Sequence, residues 1–563
     1  MKNHEKINPH PDSVRFRQGR NPLITMFACA MVLPMSLPLM AQSFPDNALV
    51  YKVTQHGIDD AQVSKLIDSF ELKDRPERSD GALRYTDTKQ FLALPMRKLA
   101  DDVKTENEDD GEIVFEGFDV DAIKELKVLN PEEARTLVSQ KLKSMDLLPE
   151  EAEALASNSQ FELVSIKGDT IIDQAIDTVV SYQFKLKGIP LEGPGSKIRV
   201  AFAPSGDTSQ LSYAFRSLEP LDEVRVVKRD EAFKRCATWT FDNKGSSHAV
   251  KNASLAYFAP PLSEKIETLE PSIRCESTDE NGAASQVYFV SALIDAKPAP
   301  IEPSPQKNRE NRKNRKFSDF FDFSLINTAH AAFNRRDVGS EGTGPCSGLP
   351  NTGANLQSFN SRMTSDGVAV QFSWLDANAW EQDWKDPSLS GDDQDWVDDV
   401  DMAYWQGHGW PSGFSFSGCS SNDDASMTNT DALWGNRNVE WISLFTCLVL
   451  KNDSGGQRWW QRWGPAFDRL HQINSFDTVS YHSSQHGGIF ANYMLKNNPL
   501  NVRQAWSQAS IDDQPAQVIW ATMGVVSGGS LNNFNDYYWG KGSVGPDIPA
   551  NQIDSYWRIS GGS

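Results

Sequence analysis

Residues 400–409 read VDMAYWQGHG and residues 439–447 read VEWISLFTC. Each is a short run of apolar, β-branched and aromatic residues, the signature of a buried strand, and each ends on a residue with chemistry: His408 between two glycines, and Cys447. Around them the second half of the chain alternates. GVAVQFSW from Gly367 reads as a strand after a helix, and FDTVSY from Phe476 as another strand. WWQRWGPAFDRLHQ from Trp459 puts Trp460, Trp463, Phe467 and Leu470 on one helical face. NVRQAWSQAS from Asn501 does the same with Val502, Ala505, Trp506 and Ala509, and VIWATMGV from Val518 is strand-like. Strands alternating with helices predict an α/β domain over residues 340–563, an open, largely parallel sheet flanked by helices. In such a sheet the ligand site lies beyond the carboxyl ends of the strands, where His408 and Cys447 both fall.

The two residues are 39 apart, room for one crossover between neighbouring strands. A cysteine needs an imidazole or another source of positive potential to be held as thiolate at neutral pH. Glycine on both sides of His408 lets backbone approach a substrate and frees an N–H for an oxyanion. The arrangement resembles the caspase-like cysteine peptidases, the clan of gingipains, legumains, separase and the CHAT-domain proteins. Their pattern is an apolar strand ending in His-Gly, a variable insert, and an apolar strand ending in Cys. GPAFDRLH, FDTVSYHSS, GGIFANYML and VRQAWSQAS look like the CHAT-domain continuation, and the resemblance spans about residues 340–530. It implies a caspase-like domain acting on polypeptides without a required cofactor. Cys447 would be the nucleophile, His408 the general acid, and the N–H groups of Gly409 and Cys447 the oxyanion hole. Leu448-Val449-Leu450 departs from the small or polar residues usual after that cysteine. The departure favours the alternative of a secreted binding module that keeps the fold and has lost turnover, with Cys447 an inert buried residue.

Other signals compete. His482 and His486 stand four apart after a strand end, and with His408 they suggest a three-His zinc hydrolase, although no H-E-x-x-H motif accompanies them. The stronger expectation is that His482, Ser483 and Ser484 line a substrate pocket beside the thiol. DPSLSGDDQDWVDDVD from Asp386 has the composition of a calcium-binding segment but not the spacing of an EF-hand, so a solvated loop is the default. The many tryptophans at helical or strand spacing read as core.

The chain of 563 residues has 55 Lys+Arg against 76 Asp+Glu, a net charge of −21 that argues against nucleic acid as a partner. Its first 20 residues carry Lys2, Lys6, Arg15, Arg17 and Arg20, ahead of the apolar run PLITMFACAMVLPMSLPLMA. A basic flank, an apolar core and a small residue before polar sequence describe a secretory signal over residues 1–41. Pro34 and Pro38 disfavour the alternative of a spanning helix. The mature chain is then secreted or periplasmic, with no membrane span. It keeps an odd set of cysteines: Cys236, Cys275, Cys346, Cys419 and Cys447. Pairing Cys236 with Cys275 and Cys346 with Cys419 leaves Cys447 free, one of three connectivities for the four.

Residues 297–339, rich in Pro and then in basic residues, read as a linker. Ahead of it, residues 42–296 read as an α+β accessory region. NPEEARTLVSQKLKSM from Asn130 has helix-start chemistry. Val180, Tyr182, Phe184 and Leu186, then Ile198, Val200 and Phe202, alternate as strands on either side of a Gly/Pro turn. This helix-then-hairpin block is similar to PepSY-like and thermolysin-type propeptide domains over about residues 130–215, which implies an inhibitory or chaperone-like role.

Overall fold

The structure is a computed structural model, and it describes residues 44–99, 113–241, 249–278, 285–296, 336–416 and 424–563. Alternating apolar residues in the first half make a large sheet that is almost entirely antiparallel. Its strands include β1 (Asn47–His56), β3 (Thr178–Leu186), β4 (Ile189–Glu192), β5 (Ser196–Phe202), β6 (Thr208–Arg225), β7 (Ala249–Phe258), β8 (Pro271–Thr278) and β9 (Ser285–Ser291). They lie in the order β1-β6-β5-β3-β4-β7-β8-β9, and among these neighbours only β4 and β7 run parallel. The expected helix, α1 (Pro131–Ser144), begins as capping chemistry requires: the Asn130 side chain accepts from the Glu132 and Glu133 N–H groups, and Pro131 takes the first turn. Ala134, Val138 and Leu142 of α1 pack into one core with Val180, Tyr182, Phe184, Ile198, Val200 and Phe202. A second helix, α2 (Arg229–Phe241), lies against β7 and β8, and the Cys236–Cys275 disulfide ties it to β8.

The second sheet is centred on the Trp-rich half. It contains β10 (Asp337–Gly342), β11 (Ala369–Leu375), β12 (Met402–Gln406), β13 (Trp441–Phe445), β14 (Gln472–Phe476), β15 (Ile519–Ser527) and β16 (Ile553–Gly562). The run β11-β10-β12-β13-β14 is parallel. From β14 onward the sheet is antiparallel, through β15 to β16 and then to β2 (Gln160–Ser165), a strand contributed by the first half. The two composition blocks therefore share a sheet, and residues 44–563 form one compact unit.

These sheets overturn the expected fold class. Among the described residues strand outweighs helix, 39% against 24%, and both large sheets are mixed or antiparallel; this is not a largely parallel caspase-like α/β sheet flanked by helices. The reason lies in the connections. Between β14 and β15 the chain forms two helices, α4 (His486–Leu495) and α5 (Val502–Asp513), and returns to the edge it left, so Trp520 pairs back against Phe476. One helix would have delivered a parallel strand; two reverse the direction. The longer helices also cover only one face. Along β12, Met402 and Tyr404 join a core with α3 (Thr352–Ser365), α4 and α5. Ala403 and Trp405 point into the opposite core, filled by Trp384 and Trp434 from short 3₁₀ turns and loops and by Trp459 and Trp463 from a five-residue helix.

Two local expectations change as well. The helix predicted from Trp459 stops at Trp463, because Pro465 follows in a 3₁₀ turn. The strand predicted to begin at Phe476 instead ends there. Its polar residues are buried and hydrogen-bonded: Gln472 Nε2 donates to the Asn533 carbonyl, Asn474 Nδ2 to Ser443 Oγ at 3.2 Å, and Thr522 Oγ1 to Asn474 Oδ1 at 2.8 Å. The leader and most of the 297–339 segment lie outside the described residues, and residues 337–339 already belong to β10. Among the described residues no helix is long and apolar enough to cross a membrane. The disulfide closes a stretch of 39 residues between two fully buried half-cystines. Replacing both with alanine is expected to cost about 2–4 kcal/mol, the range for opening a loop of that size. Urea unfolding of the double variant against wild type checks this, and equal stability would mean that burial alone holds α2 to β8.

Candidate functional site

β12 and β13 pair in register, Tyr404 opposite Ser443 and Gln406 opposite Phe445, so the residues that follow emerge side by side at the carboxyl edge of the sheet. Gly409 permits that closeness. A Cβ at this position would sit 2.3 Å from Thr446 Oγ1 and 3.0 Å from the Cys447 carbonyl oxygen, tighter than close-packed atoms tolerate. The glycine expected to serve an oxyanion is therefore needed first to let one chain pass the other. After Cys447 the backbone turns sharply: Leu448 adopts φ +67°, the left-handed region that a branched side chain rarely takes. Its N–H then bonds the Thr478 carbonyl at 3.1 Å, and the Leu450 N–H bonds the Phe476 carbonyl at 3.1 Å. Val449 and Leu450 run into the Trp-rich core. The apolar tripeptide thus leads away from the thiol and takes no part in the cavity wall.

A small pocket opens at this edge, walled by residues 406–408 at the end of β12, by Phe445 and Cys447, by Leu349, and by residues 480–482. Of the expected site residues it gathers Cys447, His408 and His482. Cys447 is a free thiol and only 4% exposed. Its sulfur is engaged by Ser480, whose N–H donates to it at 3.3 Å and whose carbonyl and hydroxyl oxygens lie at 3.7 and 3.5 Å. Burial pushes the thiol up to about 11. The Ser480 hydrogen bonds pull part of the way back, and the negative charge of Glu276 adds to the rise.

The His408 Nε2–H donates to the Ser347 carbonyl at 2.9 Å, which in the neutral ring leaves Nδ1 as the proton-accepting nitrogen. Among the described residues no hydrogen bond links this ring to the Cys447 sulfur. His482 Nε2 accepts from the Asn351 N–H at 2.9 Å, and its Nδ1 lies 3.0 Å from Gln406 Nε2. Burial keeps it neutral down to about 3. Gln406 is fixed in turn: its Oε1 accepts from Asn355 Nδ2 at 2.6 Å, and its Nε2 also donates to the Ser483 carbonyl at 3.2 Å. Gln406 and Ser480 are the wall residues that sequence reasoning missed. An amide immediately before Gly-His-Gly, at the end of an otherwise apolar strand, was the available signal for the first; nothing marked the second.

The remaining expected residues sit elsewhere. The Ser483 hydroxyl donates to Asp513 Oδ1 at 2.7 Å and caps the start of α4, and Ser484 is exposed; neither lines the cavity. His486 is buried behind the wall, stacked on Phe445 at 4.2 Å and bonded to the Tyr404 and Ser510 hydroxyls. Among the described residues no group of three His, Cys, Asp or Glu side chains is arranged to hold a metal ion. The segment from Asp386, expected as a solvated loop, is solvated in part, with residues 387–390 exposed, and packed in the rest. Asp393 and Asp398 are fully buried, and Asp398 accepts backbone N–H groups of Gly435, Arg437, Asn438 and Val439. Cys346 is disulfide-bonded, while Cys419, expected as its partner, lies outside the described residues. Because burial dominates at the thiol, iodoacetamide alkylation of folded protein is expected to accelerate with pH up to a midpoint near 11. A midpoint at or below the ordinary ~8.5 would reveal a positive potential beside the sulfur.

Residues 340–561 match the family described as "Domain of unknown function (DUF6345)". Among curated proteins none matches. A solved structure, that of an uncharacterized protein from Eubacterium rectale ATCC 33656, is similar at 14% identity over 46% of this chain and 88% of that one, with a TM-score of 0.26, too low to bear on the fold.

Proposed function

We propose that the cavity is the active site of an exported cysteine hydrolase that cleaves peptide bonds through Cys447 and His408. The observation that carries this reading is the convergence of the free thiol and two imidazoles on one cavity, at the carboxyl ends of two parallel strands. The His-Gly…Cys motif supports it through the residues alone, since the fold expected with that motif does not hold. Export is supported by the leader and by the Cys236–Cys275 disulfide.

In this scheme the sulfur attacks the scissile carbonyl carbon as its proton passes to His408 Nδ1. The same proton goes to the amine nitrogen when the C–N bond breaks, leaving a thioester on Cys447. Water then attacks the thioester, giving one proton to the ring and through it back to the sulfur, and the acid product leaves. A thiol held near 11 is inert at neutral pH unless its proton is removed during attack, so the imidazole is indispensable.

That same raised thiol favours a second reading, a binding module that holds a peptide in the cavity without cleaving it. A fluorogenic peptide library assayed with wild type, Cys447→Ala and His408→Gln separates the two. Hydrolysis is expected from wild type, none above background from Cys447→Ala, and a loss of about 10²-fold or more from His408→Gln. Equal turnover by wild type and Cys447→Ala overturns the hydrolase, and binding without turnover establishes the module.

A further inference from the structure

Ser480 reaches the thiol because the residue after it is gripped from behind. The Tyr481 hydroxyl accepts from Arg274 Nε at 3.1 Å and Nη2 at 3.0 Å and from Gln517 Nε2 at 2.9 Å, and it donates to Glu192 Oε2 at 2.7 Å. The Arg274 guanidinium also lies 5.4 Å from the centre of the Tyr481 ring. On the backbone, Tyr481 pairs with Val287, and the Val287 carbonyl accepts the His482 N–H at 3.3 Å. Gln514 brackets the Tyr481 peptide, accepting from its N–H at 2.6 Å and donating to its carbonyl at 3.0 Å. Glu192 on β4, Arg274 on β8 and Val287 on β9 all belong to the first half of the chain. Three strands of that half thus meet on a single tyrosine in the wall of the cavity.

We propose that Tyr481 is a positioning residue, a latch through which the first half of the chain keeps Ser480 seated on the Cys447 sulfur and the thiol covered. The claim deepens the hydrolase reading by naming the regulation of its site, although the latch is defined by access to the thiol and not by turnover. The charged and titratable groups around the sulfur fit a resting state. Glu276, two residues beyond Arg274 on β8, bears on the thiol with a like charge, while His482 is neutral. Glu276 is itself paired with Lys251 at 3.0 Å and Arg274 at 3.6 Å, so a movement of β8 shifts the grip on Tyr481 and the charge near the sulfur together.

The test is the rate of iodoacetamide alkylation of the full chain across pH for wild type, Tyr481→Phe and Arg274→Lys. The first variant deletes the gripped hydroxyl; the second keeps a cation beside Glu192 and loses the fork. Each is expected to move the midpoint down by about one pH unit, which raises the rate at pH 8 about threefold once the nucleophilicity lost with basicity is counted. A merely structural tyrosine would lower the unfolding midpoint and leave the alkylation profile of the folded protein unmoved. Folded variants that match wild type in both rate and midpoint overturn the latch. Should Tyr481→Phe fail to fold, Arg274→Lys decides by the same criterion. Faster alkylation with no peptide cleaved by any variant upholds the latch and sinks the hydrolase; peptide cleavage with an unchanged alkylation profile does the reverse.

Discussion

The in-register pairing of β12 with β13 is the constraint on which the site depends. Both strands are buried on both faces, so their side chains must alternate between two cores, and a slip of one residue would send Tyr404 and Trp405 to the wrong sides. Register therefore carries a large apolar penalty for error, and the last residues of the two strands leave the sheet at one level. Gly409 then allows the chain beyond β12 to lie almost in contact with Thr446 and Cys447. The cavity is what remains where two strands end together and the loop after β14 closes over them.

The two edges of the parallel strands differ in character. The amino edge carries Asp337, Asp401 and Glu440, which take up backbone N–H groups and one another's fields; burial holds Asp401 and Glu440 well above the usual carboxylate range. At the same edge burial disfavours a charged His471, yet the carboxylates of Asp536 and Asp547 hold its proton up to about 9. The carboxyl edge carries the thiol and the neutral imidazole of His482. Charge is concentrated where the sheet is anchored, and nucleophilic and basic groups stand where it opens.

The strands of the site were readable because burial on two faces writes a nearly continuous apolar run, as in residues 402–405 and 441–445. Helix α1 was readable from the chemistry of its start, where Pro131 takes the first turn, and α5 from the apolar face of Val502, Ala505, Trp506 and Ala509. Strand direction was not readable. An apolar run looks the same in a parallel or antiparallel partner, so β15 carried no sign that two helices would bring it back reversed. β14 was placed too late because its buried amides mimic a loop until their partners are known. The cavity's chemistry was half legible: His408, Cys447 and His482 stood at strand ends, whereas the seat of Ser480 on the sulfur depends on partners hundreds of residues away, at Glu192, Arg274 and Val287.

Strand β2 lies in the first half of the chain yet pairs along its whole length with β16, the last strand of the second. Were the backbone cut between residues 297 and 335, the two fragments would remain associated through that ladder and through the apolar surface beneath it. Separately expressed, each would present an open sheet edge to solvent, the kind of surface on which chains aggregate. The protein is a single cooperative body whose halves are complementary fragments, not modules that could be traded for others.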